Sequence, residues 1–144
     1  MMEKVYIVDS KSPEMKKVFK LRHDVFVKEQ SVPPDMEVDE HDSDAVHLAY
    51  KQNTSIVGVL RIVEGEKNAK IGRVAVKKTH RGKGIGKLLI KKAIDLAKKG
   101  GHKVAMLESQ VHATEFYKKL GFVPYGEIFM DAGIPHIKMK KALV

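Results

Sequence analysis

The chain has no cysteine and no tryptophan in 144 residues, and only 6% of it is aromatic. Without a thiol there is no disulfide framework, and an acyl group cannot be held as a thioester on the protein. The shortage of aromatic rings leaves few stacking platforms, so a basic nucleic-acid-binding module is the weaker account of the formal charge of +9. No apolar run approaches the length of a membrane span, and the opening MMEKVYIVDS lacks the apolar centre of a signal peptide. A cytoplasmic location without membrane contact is therefore expected. The seven histidines are scattered with no ligand spacing, and no metal is expected. With 43% apolar residues, one domain spanning 1–144 can bury a core of its own.

Two further absences are local. Between Lys77 and Lys92 no acid occurs, while Lys77, Lys78, Arg81, Lys83, Lys87, Lys91 and Lys92 accumulate. Between Glu29 and Asp44 no lysine or arginine occurs, while Glu29, Asp35, Glu37, Asp39, Glu40, Asp42 and Asp44 accumulate. The basic stretch lies within a β-branched run, IGRVAV, a turn, KKTHRGKGIG, and an amphipathic segment, KLLIKKAIDLAKK. Strand, glycine turn and helix in that order make an anion site, because glycines let a ligand approach the main chain and the first N–H groups of the helix lack internal partners. A ligand carrying several phosphates is expected. A P-loop is excluded because no hydroxyl follows a Gly-Lys pair at the required spacing. The dinucleotide fingerprint fails as well, since its third glycine arrives one residue early. Arg81-Gly82-Lys83-Gly84-Ile85-Gly86 does fit R-x-x-G-x-G.

In chain order, Val5 to Asp9 reads as a strand, and Ser12-Pro13 opens a helix with serine as N-cap and proline in the first turn. Its buried stripe is Met15, Val18, Phe19, Val25 and Phe26, and both Arg22 and Glu29 fall on it. A charge on an apolar face needs a partner: Arg22 either closes an internal ion pair or contacts substrate or cofactor. The double proline of Gln30 to Asp44 predicts a loop, either a solvated acidic segment or a contact for a cationic amine. Ala45 to Lys51 alternates as a half-buried strand, and with Ser55 to Glu64 and the IGRVAV strand it forms an antiparallel meander. The helix after the glycines is expected to bury Ile85, Leu88, Leu89, Ala93, Leu96 and Ala97 and to stop at Gly100-Gly101. Val104 to Glu108 then runs parallel to its predecessor through a right-handed crossover. A helix over His112 to Leu120 and strands at Phe122 to Tyr125, Glu127 to Asp131 and Ile134 to Lys140 complete a mixed α/β chain.

At R-x-x-G-x-G, preceded by the apolar triplet Val74-Ala75-Val76, the chain resembles the GNAT superfamily of acetyl-CoA-dependent N-acetyltransferases. Phe116-Tyr117-Lys118-Lys119-Leu120-Gly121-Phe122 resembles that superfamily's F-Y-x-x-x-G-F segment. The Leu21 to Gln30 segment, the acidic loop and Asp131-Ala132-Gly133-Ile134-Pro135-His136 are similar to its ElaA-like branch. The resemblance covers essentially the whole chain. It implies a GNAT-like acyl-CoA N-acyltransferase fold with a splayed central sheet, and transfer of acetyl from acetyl-CoA to a primary amine of a small molecule in a ternary complex. A catalytically silent acyl-CoA sensor is the alternative, and a homodimer is left open.

The resemblance also implies roles. Val74, Ala75 and Val76 would run beside the pantetheine arm, with the Val76 N–H polarising the thioester carbonyl. Arg81, Gly82, Lys83, Gly84, Ile85, Gly86 and Lys87 would hold the pyrophosphate, with Lys83 or Lys87 available to the ribose phosphate. Any single lysine reads equally as part of a solvated helix face. The family's asparagine before the last helix is replaced by Gln110-Val111-His112, so Gln110 stands at that cofactor contact. Tyr117 would protonate the departing thiolate, since a phenol and a thiol free in water have pKa values of about 10 and about 8.5; the other reading is an ordinary core tyrosine. No carboxylate lies in Ala69 to Val76, where some members carry a base. Glu29 and Glu108 are the favoured substitutes among Asp39, Glu40, His47, His112 and His136. Arg22, Glu29, Asp39, Glu40 and His136 are the expected substrate contacts.

Overall fold

The computed structural model describes residues 4–144. Seven strands form one sheet in the order β1-β2-β3-β4-β5-β7-β6. They are β1 (Val5–Val8), β2 (Val46–Gln52), β3 (Ser55–Glu64), β4 (Asn68–Val76), β5 (Val104–Gln110), β6 (Val123–Asp131) and β7 (Ile134–Ala142). Only β4 and β5 pair in parallel, as the right-handed crossover through α3 (Ile85–Lys99) requires. One face of the sheet carries α3 and α4 (Thr114–Lys118). The other carries α1 (Met15–Arg22), continued by a π-helical segment His23–Glu29.

Several expectations shift at this level. The first helix begins at Met15 rather than at Ser12-Pro13, although the Ser12 hydroxyl still accepts the Glu14 N–H at 3.1 Å. Its second half is π-helical, a change of winding that apolar spacing does not announce. The strand expected to be half-buried, β2, is buried on both faces: His47, Leu48 and Ala49 are each 0% exposed, because α1 covers one side and α3 the other. The acidic loop contains a one-turn helix α2 (Pro34–Glu37) and a 3-10 turn (Glu40–Ser43). On α3 the buried stripe is Ile85, Leu89, Ile90, Ala93, Ile94 and Ala97, which leaves Leu88 on the flank and exposed. The expected helix over His112 to Leu120 is a 3-10 turn (Val111–Ala113) followed by α4. The two strands expected between Phe122 and Asp131 are one strand with a register break near Gly126, whose φ is +76°.

Two local features of β4 position the cleft. The register sets Arg61 against Gly72 and Val59 against Ala75, so Arg73 and Val74 together oppose Leu60 in a bulge. Arg73 sits at φ +51°, a left-handed conformation costing a side-chain-bearing residue about 1–2 kcal/mol. Beyond the bulge, β4 leaves β5: the parallel pairing covers only Asn68 to Ile71 against Val104 to Leu107. The C-terminal halves of the two strands splay apart and open the sheet.

Candidate active site

The splay opens into a cleft of about 990 Å³, lined by β4 from Lys70 to Val76, by the glycine turn, by the end of β5 and by the π segment. Its floor depends on a close approach. A Cβ at Gly58 of β3 would lie 2.7 Å from Ile85 Cγ2, so only glycine lets the start of α3 seat on the sheet. Gly82 and Gly84 turn the chain at φ +77° and +83°, which aims the following N–H groups outward.

Among the described residues, no main-chain N–H from 82 to 87 donates to a protein acceptor; the first bond of the helix is from Leu88 N–H to Gly84 C=O, at 3.1 Å. These donors, at the positive end of a fifteen-residue helix, form a cradle for a phosphate or diphosphate. The cradle continues onto β4. Lys77 N–H donates to Val57 C=O at 2.8 Å, so by the alternation of an antiparallel ladder Val76 turns its own N–H and C=O away from β3, towards the opening. The Val76 C=O accepts from Arg81 Nε at 2.9 Å, and the Val76 N–H remains available. Val74 and Ala75 line the same wall.

Arg81 itself is fully engaged. Besides Val76 C=O, its guanidinium donates to both Glu29 oxygens, at 2.6 and 2.8 Å, tying the turn to the end of the π segment. The hydrogen bond from Arg81 holds the Glu29 carboxyl below the usual carboxylate range, against the opposing effect of burial. This pairing makes Glu29 a poor proton acceptor and Arg81 a strut. Glu108 is likewise committed, accepting from Lys70 Nζ at 2.9 Å. Gln110 bridges two elements: its amide donates to Gln30 Oε1 at 2.8 Å and its oxygen lies 2.7 Å from His112 Nε2. Lys87 lines the cleft, whereas Lys83 lies outside it.

Tyr117 lies on the α3–α4 side of the opening, in edge contact with Phe116 and Phe122 at centroid distances of 5.0 and 6.1 Å. Burial pushes its hydroxyl up to about 12, so it stays protonated at neutral pH. The rise widens its gap to a thiol, which favours donation into a partly formed thiolate over early full transfer. Phe116 closes over the helix start, its Cζ at ordinary contact distance from where a Cβ at Gly86 would lie, 3.4 Å.

Three expected substrate contacts are corrected. Arg22 is 1% exposed and donates to Glu37 Oε2 at 2.6 Å and to Asp42 Oδ1 at 2.7 Å, so of its two readings the internal ion pair holds. Asp39 is taken up by Arg61 at 2.7 Å and by Arg73 at 3.2 Å. Glu40 projects into solvent from its 3-10 turn and does not line the cleft. His47, a candidate base, is buried with its Nε2 2.8 Å from the Asp42 C=O. His136 does line the cleft. Sequence reasoning passed over Gln30, Arg73 and Phe129, whose places at the cleft depend on partners distant in the chain or on a change of register.

A family profile described as Acetyltransferase (GNAT) domain matches residues 8–143. The chain belongs to the GNAT acetyltransferase family and is an acyltransferase that draws on an acyl-CoA. It is similar to the Bacillus subtilis protein called "Uncharacterized N-acetyltransferase YjcF", 35% identical over 94% of this chain and 97% of that one. It is also similar to Escherichia coli ElaA, whose crystal structure superposes with a TM-score of 0.86 at 28% identity, covering 97% of this chain and 99% of that one. An acyl-CoA N-acyltransferase from Pseudomonas aeruginosa superposes equally well, with a TM-score of 0.86, 29% identity, and 96% and 99% coverage. The ElaA-like assignment holds, and with it the mixed, splayed sheet. Among the described residues no helix is long and apolar enough to cross a membrane.

Proposed function

We propose that the protein transfers acetyl from acetyl-CoA directly to the primary amine of a small molecule, both being bound together in the cleft. The observation that carries this reading is the continuous row of free donors, from the N–H groups of 82 to 87 down to the outward-turned Val76 N–H. Acetyl-CoA, when bound, supplies an activated thioester and a diphosphate. The residues present fit both: the glycine cradle suits the diphosphate, and the Val76 N–H is available to a carbonyl oxygen that gains negative charge. Tyr117 keeps its proton and donates it to the sulfur as the C–S bond weakens.

The two reactants enter from opposite sides of the sheet. Leu107 and Met139 pack in the core beneath α3, so by strand alternation Glu108, Gln110 and His136 point to the opposite face, where Gln30 meets Gln110. That face presents carboxylates, amides and imidazoles, a suitable lining for a cationic amine. Titration calorimetry with acetyl-CoA, followed by a thiol-release screen over polyamines, aminosugars, amino acids and peptides, tests the reading. Saturable binding with amine-dependent thiol release is expected. Binding without release from any amine supports a sensor instead, and no heat at saturating acetyl-CoA ends the proposal.

A further inference from the structure

We propose that His136 Nε2 is the base that removes the proton from the incoming amine, an assignment that rests on the acyl transfer proposed above. His136 stands on β7 directly opposite Gln110 of β5, on the acceptor face, and is 9% exposed while lining the cleft. Its Nδ1 lies 2.7 Å from the Ile134 C=O. A carbonyl can only accept, so Nδ1 carries the hydrogen and Nε2 is left with its lone pair. The ring is further fixed by stacking on Phe129, with centroids 5.8 Å apart and planes 28° apart.

Two competing carboxylates on this face are paired. Glu29 is held by Arg81 and Glu108 by Lys70. Gln110 donates its amide hydrogen to Gln30, so its oxygen accepts from His112; that makes His112 a donor at Nε2 and leaves its lone pair on Nδ1 of an exposed ring, whereas the His136 ring is buried and fixed by Phe129. The charged groups on the elements around His136 include Glu108 on β5, Lys70 and Arg73 on β4, Glu127 and Asp131 on β6, His112 on the 3-10 turn, and Lys138 and Lys140 on β7 itself.

The protons balance at each step. An alkylammonium gives one proton to His136 Nε2, which exposes the nitrogen lone pair; His136 returns that proton to solvent on product release. The nitrogen then bonds to the acetyl carbon while the C–S pair moves to sulfur. The nitrogen sheds its second proton to solvent, and Tyr117 gives its proton to the sulfur and takes one back from solvent, so the exchange balances.

His136→Asn tests the assignment, because the asparagine amide can still donate to the Ile134 C=O but has nothing in place of Nε2. With spermidine, glucosamine and Nα-blocked lysine as probes, kcat/KM is expected to fall by about 10²–10⁴. The acid limb of the pH profile should disappear, acetyl-CoA affinity should be unchanged, and free imidazole should partly restore His136→Ala. Activity of His136→Asn equal to wild type, or a loss that leaves the acid limb in place, overturns the assignment. Nitrogen-15 NMR of the His136 ring gives a readout that needs no substrate: an unprotonated Nε2 at neutral pH is expected, and a hydrogen found on Nε2 rather than Nδ1 refutes the proposal. Failure of the wild type to bind acetyl-CoA would instead fault the proposed function and leave the tautomer result to stand on its own.

Discussion

Two charged regions lie along β4, and they use charge in opposite ways. Near its bulge, Arg22, Arg61 and Arg73 interlock with Glu37, Asp39 and Asp42 at distances of 2.6 to 3.2 Å, largely out of water. At its C-terminal end, the glycine turn presents N–H groups from 82 to 87 that meet no protein acceptor among the described residues. In the first region nearly every donor has an acceptor, with only Arg61 Nε and His47 Nδ1 buried and unpartnered. In the second the turn itself leaves the donors over. Charge satisfied from within fixes the shape of the cleft, and donors left unsatisfied at its edge are what the proposed cofactor would meet.

The largest effect is expected at the knot. Arg22→Met leaves buried Glu37 with only Arg73 and buried Asp42 with only Arg61 as charged partners and should cost about 3 kcal/mol of stability by urea denaturation, with the acetyl-CoA affinity of the folded fraction retained. A loss below about 1 kcal/mol would show that the knot is not what holds the acceptor side in shape. Tyr117→Phe should lower kcat about a hundredfold without changing acetyl-CoA affinity or thermal stability, because among the described residues no protein group bonds to the hydroxyl. An unchanged kcat would return Tyr117 to the role of a core aromatic. At the turn, Gly84→Val forces a β-branched side chain to φ +83° and redirects the donors. Coenzyme A affinity should drop by roughly thirtyfold, about 2 kcal/mol, as charge-assisted bonds are lost. Unaltered calorimetry would mean that the cradle is not the phosphate site.

The smallest effect separates the two regions through pH. Burial alone would raise the Asp42 carboxyl, but the Arg22 hydrogen bond, the Asp39 N–H and Arg61 outweigh it and hold the group well below the usual range. A depressed native value stabilises the fold above the unfolded carboxylate value, about 3.9, and that contribution is lost as pH falls below it. The Asp42 contribution should be level above about pH 5 and decline below about pH 4, a decline that is shallower in Asp42→Asn and separate from the earlier loss below about pH 6.5 that the lowered value of buried His47 produces in both proteins. An identical acid slope in the variant would remove Asp42 from the account.

Much of this was legible in the sequence for local reasons. The strand, glycine turn and helix could be placed because glycine spacing, β-branching and helical periodicity are properties of neighbouring residues, and α3 begins at Ile85 as the turn predicted. The parallel entry of β5 followed from the handedness of the crossover. The π segment, the bulge at Arg73 and the partners of Arg22 were not legible. Each is settled by groups distant in the chain: Arg22 finds Glu37 and Asp42, and Arg73 accepts a strained φ while held by Glu37 and Asp39. Glu29 shows the same limit. Its place on a helical stripe suggested an available base, whereas Arg81, fifty-two positions away, neutralises it.

Residue order was enough to define a strand, a glycine turn and a helix in an α/β chain, because those elements are written in residues that touch along the backbone. Which titratable groups remain free to act was settled by the folded chain. Only the assembled sheet brings Arg81 to Glu29, Lys70 to Glu108 and Phe129 onto the ring of His136, and a proton goes where a lone pair is left without a partner.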